Sequence, residues 1–244
     1  MGARPLSRLS LPAAPPWPVL RLRLLMGLVA CAALAAAYLL WFRDSSLVAV
    51  EHVSVAGAEA DPAAGATLER AGLEMTTLNV DEDALRAAVA DDPAVVRIDA
   101  SPGFPHDLSI AVDVREPAAY IAADGGTLLA GDGVVLATGV EPPDGIPVID
   151  VENPDLGGRA AGSALTLARV LGPAPDALAR GVERATDDPK RGPVVELASG
   201  IELRFGDASQ AAAKWDAAAA VLANPGTDAA SYLDLSVPGR PVAG

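Results

Sequence analysis

Nineteen consecutive residues, 24–42 (LLMGLVACAALAAAYLLWF), carry no charge, and Arg23 and Arg43 bracket them. As a helix rising about 1.5 Å per residue, the run approaches the roughly 30 Å hydrocarbon core of a bilayer, with snorkelling arginines at both ends. It therefore predicts a transmembrane helix at residues 24–42. Tyr38 and Trp41 lie near its distal end, where amphipathic aromatics favour the interface. Arg4, Arg8, Arg21 and Arg23 precede the span, whereas only Arg43 closely follows it. The positive-inside rule then keeps the amino terminus in the cytoplasm and sends the rest of the chain outward. Residues 1–23 are expected as a disordered cytoplasmic tail, given LPAAPPWP within it. A cleaved signal peptide, processed at Ala35-Ala36-Ala37, is the competing reading. The apolar stretch running on through Phe42 favours the span.

Charge is distributed as unevenly as hydropathy. The formal net charge is −14, yet every Asp and Glu lies after residue 43, and from Arg43 onward 32 acids face 14 basic residues. Such a surface repels phosphate backbones, which argues against nucleic-acid binding by the main body. The single cysteine, Cys31, lies inside the apolar run, so cysteine can supply neither an internal disulfide nor a zinc site.

Past the span, residues 48–115 divide into five short elements. Residues 48–55 (VAVEHVSV) are β-branched and end at Ala56-Gly57, predicting a strand and a turn. Asp61-Pro62 reads as a helix N-cap followed by proline in the first turn, and Gly72 as a left-handed cap after Ala71. Asp81 caps a second helix, with Val80 and Leu85 placed for a hydrophobic staple. That helix must end before Pro93. Residues 95–100 and 107–115 are expected strands. In the second, Leu108, Ile110, Val112 and Val114 share one face.

The order β-α-α-β-β behind a membrane span, with VEHVSVAG, LNVDEDALRAAVADDPAVVRIDA and GFPHDLSIAVDVREPAAYI, resembles the polypeptide-transport-associated (POTRA) domain of the bacterial division family FtsQ/DivIB. The family's Leu-Pro-x-Val is replaced by Asp92-Pro93-Ala94-Val95, its Trp-Pro-x-x-Leu turn by Phe104-Pro105-His106-Asp107-Leu108, and its exit by Arg115-Glu116-Pro117. The resemblance implies a POTRA domain at 48–116 and an FtsQ-type β-domain at 117–244.

In that second region, short strands at 118–122, 127–130, 134–138 and 146–151 are separated by glycine turns, and a helix at 161–171 ends at Gly172-Pro173. Strands at 194–198 and 201–205 flank Ser199-Gly200. Asp207 is expected to cap a long helix that stops at Asn224-Pro225. The last expected strand is 232–237, stopped by Pro238, which has no N–H for a ladder. In FtsQ-like proteins the last strand is an open edge to which FtsB, paired with FtsL, adds a strand. The resemblance therefore implies a partner-binding edge at Tyr232, Leu233, Asp234, Leu235, Ser236 and Val237. The plainer reading is an ordinary closing strand blunted by Pro238 and Arg240.

Nothing in the chain assembles a reaction centre. His52 and His106 are the only histidines, and both read as solvated polar residues. Gly162-Ser163-Ala164 lacks the second glycine of a nucleophile elbow. Asp81-Glu82-Asp83 suits the positive end of a helix dipole better than a metal. Asp91-Asp92 and Asp187-Asp188 look like turn residues, and Gly131-Asp132-Gly133 like a hairpin. Asp113 and Glu116 read as a solvated strand edge, not a catalytic pair.

The expected fold is α+β: an N-terminal transmembrane helix, the β-α-α-β-β POTRA domain, then a mainly antiparallel β-domain with flanking helices. The implied function is a non-enzymatic, single-pass scaffold of the inner membrane and division septum, needing no cofactor. It would recruit the FtsB–FtsL pair through the β-domain and meet other divisome proteins through the POTRA domain and span. A POTRA-bearing assembly factor for exported proteins, and more remotely an anchored extracytoplasmic enzyme, are the alternatives.

Overall fold

A computed structural model describes residues 17–152, 154–224 and 231–244. Residues 1–16 of the expected tail, and Pro225 of the expected helix stop, lie outside these.

Helix α1 (Trp17–Ala37) continues as a π-helical turn, Tyr38–Phe42, in which the Arg43 N–H reaches back to the Tyr38 carbonyl at 3.0 Å. Residues 17–23 are thus helical, not part of a disordered tail: straight-chain Leu and Arg favour helix, and Pro18 sits in the first turn, where its missing N–H costs nothing. Arg21–Phe42 is long and apolar enough to cross a membrane, and none of its residues is buried. Two hydrogen bonds tie its exit to the body: Thr76 Oγ1 donates to the Arg43 carbonyl at 2.7 Å, and Asn79 Nδ2 to Asp44 Oδ1 at 3.1 Å.

The first unit runs β1 (His52–Ala56), α2 (Pro62–Leu73), α3 (Glu82–Ala88), β2 (Val95–Gly103) and β3 (Asp107–Val114), with sheet order β1-β3-β2. β3 pairs parallel with β1 and antiparallel with β2. Its alternation buries Leu108, Ile110 and Val112 against Leu68 of α2 and Leu85 of α3. Asp61 and Asp81 cap the two helices through the Ala64 and Ala84 N–H groups, at 3.1 and 3.0 Å. Two expectations need correction. Residues 46–48 form a 3₁₀ turn, so β1 starts at His52, although Val48 and Val50 are still buried. Gly72 is an interior helical residue, not a left-handed cap. A Cβ there would lie 3.0–3.3 Å from Leu108 and Val53, so its smallness lets α2 rest on the sheet.

The second unit contains β4 (Pro117–Ile121), β5 (Thr127–Ala130), β6 (Val135–Thr138), β7 (Val148–Ile149), α4 (Gly162–Leu171), α5 (Asp176–Ala179), β8 (Val182–Asp188), β9 (Gly192–Leu197), β10 (Glu202–Arg204), α6 (Ala211–Leu222), β11 (Tyr232–Asp234) and β12 (Val242–Ala243). Its nine strands lie in the order β12-β11-β10-β9-β8-β7-β4-β5-β6. The pairs β4–β7, β7–β8 and β10–β11 are parallel and the remainder antiparallel.

Helices α4 and α6 cover the sheet. Leu167, Val170 and Leu171 from α4 and Trp215 and Ala218 from α6 bury against Val195, Leu203, Phe205 and Leu233. The Trp215 and Phe205 rings meet at 5.2 Å and 57°, and Trp215 Nε1 donates to the Val170 carbonyl at 2.6 Å, so the indole is both packed and satisfied. Removing such a side chain typically costs about 3–5 kcal/mol.

Candidate partner-binding edge

The structure places Tyr232, Leu233 and Asp234 of the expected edge on β11, one position in from the rim, and Leu235, Ser236 and Val237 beyond its end. β10 runs parallel to β11 in the register Glu202↔Tyr232, Leu203↔Leu233, Arg204↔Asp234. On the other side β12 runs antiparallel to β11, Leu233↔Ala243 and Asp234↔Val242. The Tyr232 and Gly244 backbones exchange both hydrogen bonds at 3.1 Å, and the Ser231 N–H also donates to the Gly244 carbonyl at 2.8 Å. Residues 232–234 are therefore paired by this chain's own backbone on both sides. This corrects the expectation of a free edge at residues 232–237.

The local chemistry explains why. Asp234 Oδ1 accepts the Ser236 N–H at 2.9 Å, turning the chain out of the ladder after three strand residues. The Arg240 N–H then donates to the Val237 carbonyl at 2.9 Å, closing a turn around Pro238-Gly239 that returns the chain as β12. Pro238, read from the sequence as a terminus, is a corner. Pro at the second position of a four-residue turn followed by Gly was the available signal.

The side chains divide by face. Leu233 and Leu235 are fully buried under α6, and the Leu235 N–H bonds the Arg204 carbonyl at 2.8 Å. The opposite face carries Tyr232 and Asp234 beside Glu202 and Arg204. The Arg204 guanidinium lies 3.9 Å from the Tyr232 ring centre, and its Nε donates to Glu202 Oε1 at 2.6 Å. Arg191 reaches the same Glu202 oxygen at 2.8 Å. Hydrogen bonds from the Ser236 hydroxyl and N–H hold the Asp234 carboxyl below its ordinary pKa; burial opposes this and Arg204 assists. Ser236 and Val237 are exposed in the turn.

Among the described residues β12 has a neighbour on one side only. Tyr232 and Gly244 form a hydrogen-bonded pair, so the next pair, Leu233↔Ala243, is non-hydrogen-bonded. The Ala243 N–H and C=O therefore point away from β11, toward the open side. Pro241 lies two residues earlier on that side, where a missing N–H breaks no ladder bond. Val242 is 57% exposed.

α6 is backed by an unusual strut. It begins at Ala211 behind Gln210, whose φ of 52° is left-handed, and not behind Asp207 as expected. Asp207 instead accepts from the Ser209 N–H at 2.8 Å and from Lys214 Nζ at 2.7 Å. β8 and β12 are the strands that sequence reading missed. Asp188, expected as a turn residue, ends β8 and accepts the Lys190 and Arg191 N–H groups at 2.8 and 2.9 Å.

His106 is partly buried, not simply solvated, and its Nδ1 lies 2.8 Å from the Ala49 carbonyl beside the entry to β1; His52 is exposed, 3.7 Å from Asp107. Among the described residues no three of His, Cys, Asp and Glu are gathered as metal ligands.

Among the described residues these features define a class of chain: one candidate membrane span, then an α+β body whose nine-stranded sheet ends in a short strand with an open side. Residues 119–236 match the family model described as cell division protein FtsQ/DivIB, C-terminal. That match covers just under half of the chain and shows the similarity of its C-terminal region to the FtsQ/DivIB cell division proteins. It spans β4 to β11 and stops before β12. No curated protein matches the chain.

Proposed function

We propose that this chain is a non-enzymatic, single-pass scaffold of the bacterial divisome. Its amino terminus is cytoplasmic, its body lies outside the inner membrane, and it acts at the septum. The three-stranded unit, residues 48–116, serves as a POTRA docking module for other division proteins. The nine-stranded unit, residues 117–244, recruits the FtsB–FtsL pair and so organises septal peptidoglycan synthesis.

The observation that supports this most is the open side of β12. A strand of the partner laid beside it accepts from the Ala243 N–H and donates to the Ala243 carbonyl, extending the sheet. Tyr232, Asp234, Ser236 and Val237 then form the flank over which the partner's side chains pass, and Leu233 and Leu235 hold that flank to the core.

Ala243→Pro tests the proposal. It deletes an outward donor while leaving the inward bonds of Val242 and Gly244 in place. Affinity for the FtsB–FtsL pair should fall at least about tenfold, the equivalent of roughly 1.4 kcal/mol, with Trp215 fluorescence unchanged. Wild-type capture by a folded Ala243→Pro chain would refute strand addition at this edge.

A further inference from the structure

The two units meet at a two-residue junction, Arg115-Glu116, between β3 and β4. Arg115 grips both sides. Its N–H donates to the Ala94 carbonyl at 2.7 Å and its Nη1 to the Pro93 carbonyl at 2.8 Å, both in the three-stranded unit. Its Nε lies 3.0 Å from Asp132 Oδ2, at the tip of the β5–β6 hairpin in the nine-stranded unit. Asp132 also receives Arg159, whose Nη1 reaches the Asp132 carbonyl at 2.9 Å and whose Nη2 lies 3.4 Å from Oδ2. Behind the hairpin, a Cβ on Gly131 would stand 2.8 Å from the Gly172 backbone, so the turn is seated against the end of α4. A crevice of about 520 Å³, lined by Val96, Val114, Glu116 and Pro173 among others, separates the units beside the ion pair.

We propose that Arg115 is a positioning residue: one guanidinium, shared between the Pro93 carbonyl and Asp132, fixes the angle between the two units. The junction alone leaves rotation about Arg115 and Glu116, and the crevice gives the units room to move. A planar fork with several donors suits this double grip better than a lysine would. Burial opposes ionisation of Asp132, but hydrogen bonds from Arg115 and the Val134 N–H, with the charges of Arg115 and Arg159, hold its carboxyl below the ordinary range. By fixing that angle, the clamp aims the rim of β12 relative to the span. This consequence rests on the recruitment reading, whereas the clamp does not.

The test measures distances between spin labels at Ser101→Cys and Ser199→Cys, one in each unit, in the full chain carrying Cys31→Ser. Asp132→Asn removes the charge but keeps an oxygen to accept the Val134 N–H. It should add populations at distances absent from the parent, with an unchanged unfolding midpoint, and Asp132→Glu should restore the parent distribution. Arg115→Ala should behave as Asp132→Asn does; if it does not fold, Asp132→Asn decides alone. Parent-like distances in Asp132→Asn would overturn the proposal, as would a lowered midpoint with distances unaltered. Capture of FtsB–FtsL by the detergent-solubilised parent is scored separately. Failure there counts against recruitment and leaves the clamp standing.

Discussion

Lys214 Nζ lies 2.7 Å from Asp207 Oδ1, and while the lysine side chain is 2% exposed, its partner's is 68% exposed. The ammonium spends its other two protons on the Phe205 and Asp207 carbonyls, at 2.8 and 3.0 Å. It therefore pins the turn after β10 to the helix that covers β11, with every donor satisfied. Lys214→Met keeps the apolar bulk but strands two carbonyls, and should cost about 2–4 kcal/mol. The readout is the denaturant midpoint followed by Trp215 fluorescence, with Trp17 and Trp41 replaced by Phe.

The same pair predicts an acid limb. Hydrogen bonds from Lys214 and Ser209 lower the Asp207 carboxyl to about 2. An unfolded aspartate titrates near 3.9, so the ionised form is favoured in the folded chain. Its contribution is complete above that value and is lost as pH falls toward 2. In Asp207→Asn this part of the stability–pH curve should flatten between about pH 4 and pH 2, as equilibrium unfolding at a series of pH values would show.

Gly57 and Gly200 separate two costs of a side chain. Both have positive φ, 88° and 85°. A Cβ at Gly57 would fall 2.1 Å from the Val112 carbonyl oxygen, whereas at Gly200 nothing lies within 4 Å. Gly200→Ala should cost about 1 kcal/mol from backbone strain alone, and Gly57→Ala more than about 2 kcal/mol because β1 must move off β3. Urea unfolding of the two variants side by side measures the difference.

Orientation can be read chemically. Ser199→Cys in a Cys31→Ser chain should react with a membrane-impermeant maleimide in right-side-out vesicles and be protected in inside-out ones. The reverse pattern would contradict a cytoplasmic amino terminus.

Where side-chain pattern and capping agree, the sequence is explicit. Asp61-Pro62, Asp81 and the alternation from Leu108 to Val112 each predicted what they form, because each signal is local. The misses share a different cause. Gly72 carries a cap signal but is small because Leu108 and Val53, far along the chain, press on it. Asp207 has the right residue type for a cap, yet Lys214 seven positions on captures it first. β12 has two residues and no alternation to detect; only its pairing with β11 defines it. The candidate edge was thus legible to within one strand. Its true rim depends on a tertiary return that composition does not encode.

The strand order has a mechanical corollary. The chain enters the large sheet at β4, and six ladders separate that strand from β12. At about 4.8 Å per ladder the outermost strand stands roughly 30 Å to the side. A guest chain seated there would be carried as on an outrigger, well to the side of the strand by which the chain enters the sheet.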